Sequence, residues 1–270
     1  GKNTALSSLR VAGGSTTELT ATGWYYGNKV YSADTSFTWS VSDALGTIDA
    51  DGTFTAVQTG RDVTGTLTVT YGETSCTLPV TVGSSQPFDD TKGHWAESCI
   101  TELYYAGTLQ GSEKNGKLYY RPDASMTRQE FIVAMMRYLG TDLSAYASVQ
   151  LPFDDSSSIA SWAKSAMQAA YQLGYLTGSK TNGKLLAKPG STISRQEAMT
   201  ILSRTKDFAD ADLNVLSAFS DSGKIADWAR TALAQMTQQK IISGSKGKLN
   251  PTGKVTRAEV AKMLYMLSES

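Results

Sequence analysis

Three arginines stand at one place in a repeated four-residue pattern: Thr127-Arg128-Gln129-Glu130, Ser194-Arg195-Gln196-Glu197 and Thr256-Arg257-Ala258-Glu259. A Thr or Ser followed three residues later by Glu is a capping box, in which hydroxyl and carboxylate satisfy the first backbone N–H groups of a helix. Thr127, Glu130, Ser194, Glu197, Thr256 and Glu259 are therefore assigned to starting helices. Each arginine then falls at the first helical position, where a positive charge opposes the helix dipole by about 0.3–1 kcal/mol. A carboxylate or a proline would serve the helix better there. A guanidinium beside a helix start with free N–H groups makes an anion site, and it can grip a carboxylate through two parallel hydrogen bonds. The structural alternative pairs each arginine with an aspartate of a neighbouring repeat, Asp90, Asp155 or Asp221, in surface contacts that contribute little.

Trp95, Trp162 and Trp228 each precede an alanine, and four residues past each comes Cys99, Ala166 or Ala232. On a helix this spacing shares a face, so the rings are expected to be wholly buried or buried with one edge exposed. An exposed edge could lie on a sugar. Gly111, Gly178 and Gly244 are placed at helix ends, where glycine takes the left-handed conformation, with the further reading that their N–H groups meet a ligand. The aspartates near each repeat start are expected to cap the first helix.

Other chemistry is thinly supported. His94 is the only histidine and Cys76 and Cys99 the only cysteines, too few for a zinc site. No Gly-x-Ser-x-Gly elbow accompanies His94, which reads as a surface or capping residue. Asp49-Ala50-Asp51-Gly52 opens like a calcium loop but lacks the distal Glu, and reads as a hairpin turn. The acids recur in every repeat, which suits structure rather than one catalytic centre, so no catalytic residue, metal or cofactor is assigned. Cys76, on a strand face with Leu78, Val80 and Val82, and Cys99 both read as small buried residues, and spacing alone does not establish a bridge between them.

The elements that position the arginines repeat. Phe88-Asp89-Asp90, Phe153-Asp154-Asp155 and Phe219-Ser220-Asp221 open three units 65 and 66 residues apart. Each runs through its Trp-Ala pair, a first helix, a Leu/Ile-x-Gly stop, a loop ending at Pro122, Pro189 or Pro251, and a second helix over 131–139, 198–203 or 260–267. The arginine follows the proline by six residues in all three, although the third loop is four residues shorter. Residues 1–83 instead alternate in short stretches (6–11, 17–21, 36–41, 65–71 and 75–82) separated by turns, which predicts a β-sandwich.

Phe-x-Asp, Trp-Ala, the Leu-x-Gly stop, the proline and Thr-Arg-Ala-Glu together resemble the S-layer homology (SLH) domain, in three copies over residues 88–268. The third copy has the four-letter motif intact. The Gln at the Ala position of the first two is expected to be neutral. Residues 37–41, 46–56 and 66–70 resemble the bacterial Ig-like (Big) family, whose domains act as spacers or adhesion modules. The resemblances imply a multidomain chain: an Ig-like β-sandwich over 1–84, then an all-α pseudo-threefold bundle of repeats 85–140, 141–206 and 207–270, with ligand grooves between adjacent repeats. They also imply binding of a secondary cell-wall polysaccharide, often through a pyruvylated sugar. Arg128, Arg195 and Arg257 would hold the pyruvate-ketal carboxylate, with Trp95, Trp162, Trp228, Gly111, Gly178 and Gly244 beside them.

The resemblance implies a non-enzymatic anchor on the outside of a Gram-positive-type envelope. Net charge is zero over 270 residues, against nucleic-acid binding, and 40% of residues are hydrophobic, enough for a core. No apolar run is long enough for membrane insertion. Gly1 in place of Met, with no signal peptide, suggests a processed or truncated piece. Two rival expectations remain: a module docking another envelope protein through the bundle or the Ig-like domain, and the tail of a larger enzyme.

Overall fold

In a computed structural model, the structure describes residues 6–25, 28–29 and 37–269; Ser36, an expected strand start, lies outside them. The chain divides into two compact units, Gly1–Pro87 and Phe88–Ser270.

Among its described residues the first unit is β-rich, with one 3-10 turn at Asp43–Leu45. Strands β1 (Leu9–Ala12), β9 (Thr74–Gly83), β8 (Val63–Tyr71) and β5 (Thr38–Val41) form one sheet in that order, with β1 parallel to β9. β2 (Thr16–Glu18), β7 (Thr53–Ala56) and β6 (Gly46–Ile48) form a second, and β3 (Trp24–Tyr25) pairs with β4 (Asn28–Lys29). Strand alternation places Phe54, Ala56, Leu67, Val80 and Val82 in one core, which Leu45 joins from the 3-10 turn. The Asp-Gly segment is a turn, as expected: Asp51 Oδ1 accepts from Thr53 N at 3.0 Å, and Gly52 has φ 88°. Cys76 is exposed rather than buried, and both cysteines are free thiols. The β8–β9 hairpin runs past the core, and burial on the face that carries Val80 and Val82 falls away through Leu78 to Cys76.

Among its described residues the second unit holds six α-helices: α1 (Glu97–Tyr105), α2 (Arg128–Tyr138), α3 (Lys164–Gln172), α4 (Arg195–Ser203), α5 (Asp227–Gln238) and α6 (Arg257–Ser268). It is not purely helical. Each of the first two loops folds into a hairpin, β10 (Ser112–Lys114) with β11 (Lys117–Tyr119) and β12 (Ser179–Thr181) with β13 (Lys184–Leu186). The third loop is too short for one and keeps a single bridge, Ser245 with Lys248. The connectors at 141–152 and 206–218 each gain a 3-10 turn, started by the side chains of Asp142 and Asp212.

The three repeats are tied in a circle. Helix α2 packs on α3, α4 on α5, and α6 on α1. At the centre Met126 N donates to Val255 O (3.1 Å), Val255 N to Ile193 O (3.0 Å) and Ile193 N to Met126 O (3.0 Å), a closed ring of backbone bonds among buried side chains. One contiguous hydrophobic core runs through all three repeats. None of them could bury its apolar face alone, which is the logic of repeat proteins in general.

The first helices end earlier than expected. The left-handed residues that end them are Gly107, Gly174 and Lys240 (φ 76°, 78° and 58°); Gly178 and Gly244 are also left-handed (φ 71° and 68°) but lie four residues further on, in the loops, and Gly111 is not left-handed. The N–H of the residue after each reaches five back in the helix, as in Tyr175 N to Ala170 O at 2.9 Å.

Candidate functional site

All three capping boxes form as read, and each arginine is the first residue of its helix. The helix starts are not open to an anion, however. Arg128 N and Gln129 N donate to Ser191 O and Pro189 O of the next repeat, Arg195 N and Gln196 N to Gly253 O and Pro251 O, and Arg257 N and Ala258 N to Ala124 O and Pro122 O. The fixed proline-to-arginine distance now has a cause. The proline loop of one repeat must deliver its carbonyls to the helix start of the previous one.

The guanidinium groups also work inside the protein. Arg128 Nε donates to Ala187 O (2.9 Å) and Nη1 to Glu197 Oε1 (2.8 Å). Arg195 repeats this with Leu249 O (2.8 Å) and Glu259 Oε1 (2.8 Å). The partner is thus the capping-box glutamate of the next repeat, and not Asp90, Asp155 or Asp221. Each of these aspartates instead accepts two successive backbone N–H groups of its own loop: Tyr120 and Arg121, Ala187 and Lys188, Leu249 and Asn250. The second of each pair is a left-handed residue, with φ 59°, 51° and 52°. The aspartates hold the loops in a costly conformation rather than capping helices.

Two arginines nevertheless border open space. Nη2 of Arg128 and Nη2 of Arg195 have no protein partner among the described residues. Arg128 lines a cleft of 360 Å³ with Glu197, Thr177, Gly178, Arg204 and Trp228. Arg195 lines one of 870 Å³ with Glu259, Ser243, Gly244, Lys262 and Trp95. The same parts recur in each: an arginine from one repeat, the glycine loop and glutamate of the next, and a tryptophan from the third. Only the cyclic packing brings them together.

The third junction is built differently. Arg257 Nε donates to Tyr120 O (2.8 Å) and Nη2 to Gln110 O (2.9 Å), and its guanidinium lies 4.5 Å from the Tyr120 ring centre. Burial pushes the Tyr120 phenol well above its ordinary range, against the opposing pull of the Arg257 charge. Its O–H donates back to Arg257 O at 3.0 Å. Glu130 has no arginine partner among the described residues.

The tryptophans depart from expectation. Trp95, Trp162 and Trp228 are 63%, 57% and 58% exposed, neither buried nor edge-on. Trp95 and Trp162 precede their helices and Trp228 sits in the first turn of α5, so the ring need not follow the buried face of Cys99, Ala166 and Ala232. The alanine of each Trp-Ala pair is the core residue. Gly111, Gly178 and Gly244 are packing residues: a Cβ on Gly178 would fall 2.6 Å from Phe153 Cε1, one on Gly244 2.8 Å from Phe219 Cε1, and one on Gly111 against Phe88. The repeat-opening phenylalanine and the distant glycine are two halves of one contact. Gly178 and Gly244 still border the clefts.

Two features escaped the sequence reading. The Gln expected to be neutral is an inter-repeat clamp: Gln129 Oε1 accepts from Ala160 N (3.0 Å) and Gln196 Oε1 from Ala226 N (3.1 Å), capping helical turns whose own N-cap is alanine. Ala258 cannot do this, and in the repeat that it faces Gly93 N donates to Glu97 Oε2 instead (2.7 Å). Arg204, at the end of α4, is held by Tyr175 O and Thr177 Oγ1. Burial first, and then the charge of Arg128, hold its pKa below the ordinary arginine value. Two guanidinium groups that destabilise one another across a cleft make that cleft favour an anion. His94 is a capping residue: Nδ1 accepts from Ala96 N at 3.1 Å, which assigns the ring proton to Nε2, 3.3 Å from Asp123 Oδ1.

The model of the S-layer homology domain matches residues 87–132, 152–199 and 218–261, together just over half of the chain. The chain belongs to the S-layer homology family. An amylopullulanase of Thermoanaerobacterium thermosulfurigenes is 28% identical to it over 75% of this chain and 10% of that protein. An exoglucanase XynX of Acetivibrio thermocellus is 29% identical over 68% of this chain and 16% of that protein. A surface-layer 125 kDa protein of Lysinibacillus sphaericus is 28% identical over 67% and 15%. The chain therefore spans less than a fifth of these relatives. No helix among the described residues is long and apolar enough to cross a membrane.

Proposed function

We propose that this chain is a non-catalytic anchor that holds a secreted protein to the bacterial cell wall by binding an anionic secondary cell-wall polysaccharide. The SLH repeats, over 85–140, 141–206 and 207–270, form a pseudo-threefold bundle behind an Ig-like spacer. The observation that carries the reading is the recurrence of one constellation in two clefts: a free arginine N–H, the glycine loop and glutamate of the next repeat, and an exposed indole of the third. A pyruvate-ketal carboxylate meets Nη2 of Arg128 or Arg195, while Trp228 or Trp95 stacks on the sugar face. Arg257, with Trp162 and Gly111 at the third junction, acts mainly as a tie. Two such clefts on one repetitive polymer hold firmly through multivalency. The likeness to a surface-layer protein and to long enzymes supports a module carried by larger surface proteins.

Calorimetry with a synthetic pyruvylated monosaccharide is expected to give two sites per chain. Because Trp95 and Trp228 are exposed, the double variant Trp95→Ala/Trp228→Ala is expected to fold normally and to stop sedimenting with purified cell walls. Unchanged sedimentation would remove the reading, and binding of an envelope protein without any glycan would replace it.

A further inference from the structure

The two clefts are not equivalent in charge. Lys240, Lys248 and Lys262 line the Arg195 cleft, and none has a carboxylate partner among the described residues. Counted from the Trp, the Pro and the Arg of each repeat, their places in the second repeat are taken by Gly174, Leu186 and Thr200. All three are exposed, and Lys262 lies over the Tyr265 ring at 5.6 Å. Lys240 is the most telling. It adopts φ 58°, the left-handed conformation that Gly107 and Gly174 supply in the other repeats without a side chain to strain. A charged residue is thus kept where the backbone favours glycine.

Four cations face one carboxylate, Glu259, in this cleft, whereas Arg128 and Arg204 face Glu197 in the other. The Arg195 cleft also has more than twice the volume, 870 against 360 Å³. One carboxylate on Arg195 Nη2 would leave the lysine rim uncompensated.

We infer that the Arg195 cleft is specific for a glycan segment bearing two acidic groups on adjacent sugars, while the Arg128 cleft takes one singly charged sugar. This rests on the anchoring reading above. The first acid meets Arg195 and the sugar that bears it meets Trp95. The second acid lies along Lys240, Lys248 and Lys262, through contacts that salt screens strongly because the ammonium groups are exposed.

The test uses the full chain with Trp228→Ala, which removes the indole of the Arg128 cleft, and two synthetic probes: a pyruvylated monosaccharide and a disaccharide carrying a carboxylate on each sugar. Calorimetry is expected to show the disaccharide preferred by about tenfold at low salt, with the preference shrinking as salt rises. Adding Lys240→Gly, Lys248→Ser and Lys262→Thr is expected to abolish the preference and leave monosaccharide affinity within about twofold. Monosaccharide binding with no preference for the disaccharide, or a preference that survives the lysine substitutions, overturns this inference alone. If the unsubstituted chain binds neither probe, the anchoring reading falls and this inference with it. Circular dichroism of the lysine variant separates lost preference from lost fold.

Discussion

Arg195 Nη1 lies 2.8 Å from Oε1 of Glu259, and the other oxygen of that carboxylate receives the N–H of Thr256, closing the capping box of the next repeat. One glutamate therefore starts its own helix and fastens the preceding repeat. The side chains are 11% and 31% exposed, so the pair is shielded enough to matter. Arg195→Ala is expected to cost about 3 kcal/mol, read by urea unfolding, because it leaves Leu249 O and Oε1 of a partly buried carboxylate without their partner. A double-mutant cycle with Glu259→Gln is expected to show coupling of about 1 kcal/mol or more.

The glycine of each loop is expected to tolerate no side chain. In Gly178→Ala the new Cβ meets Phe153 and must adopt a positive φ (71°), for a loss of about 2–4 kcal/mol in thermal or urea unfolding. Gly223→Ala is the control: nothing lies within 4 Å of its Cβ and its φ is not positive, so stability is expected to hold within about 0.5 kcal/mol.

Gln196→Ala is expected to lose about 1 kcal/mol by uncapping Ala226 N, as judged by melting temperature. The reverse change, Ala258→Gln, is expected to gain nothing, since Glu97 already serves Gly93 N. Equal effects at the two positions would contradict the clamp.

Acid sensitivity is expected to come in part from Asp221. Burial pushes its pKa upward, but the N–H groups of Leu249 and Asn250 outweigh that and hold it below the ordinary 3.8. A carboxylate depressed in the folded state contributes stability above the unfolded value and loses it as pH falls through the folded one. Asp221→Asn is therefore expected to lower stability at neutral pH, with the gap to wild type narrowing below about pH 4. Melting curves from pH 7 to pH 3 measure it.

What was legible in the sequence was local. Thr256 and Glu259 are three residues apart, and their reciprocal bonds follow from helix geometry wherever that helix sits. The same holds for the Asp51-Gly52 turn and for the arginine at the first helical position. The aspartates misled because Asp90 reaches Tyr120 N and Arg121 N, some 30 residues onward, and loop backbone carries no periodic signal.

By itself the sequence determined three repeats, their helix starts, a β-rich unit before them and the presence of three oddly placed cations. Tertiary structure alone decided what those cations touch. Arg128 and Glu197 are 69 residues apart and Arg257 and Tyr120 O 137 apart, so their pairing depends on the closure of the circle. Closure also occupied the helix-start N–H groups and set Arg257 apart from Arg128 and Arg195. The reason is physical: capping and turns are satisfied within a few residues of chain, whereas a cleft is the space left over when three separate repeats have packed.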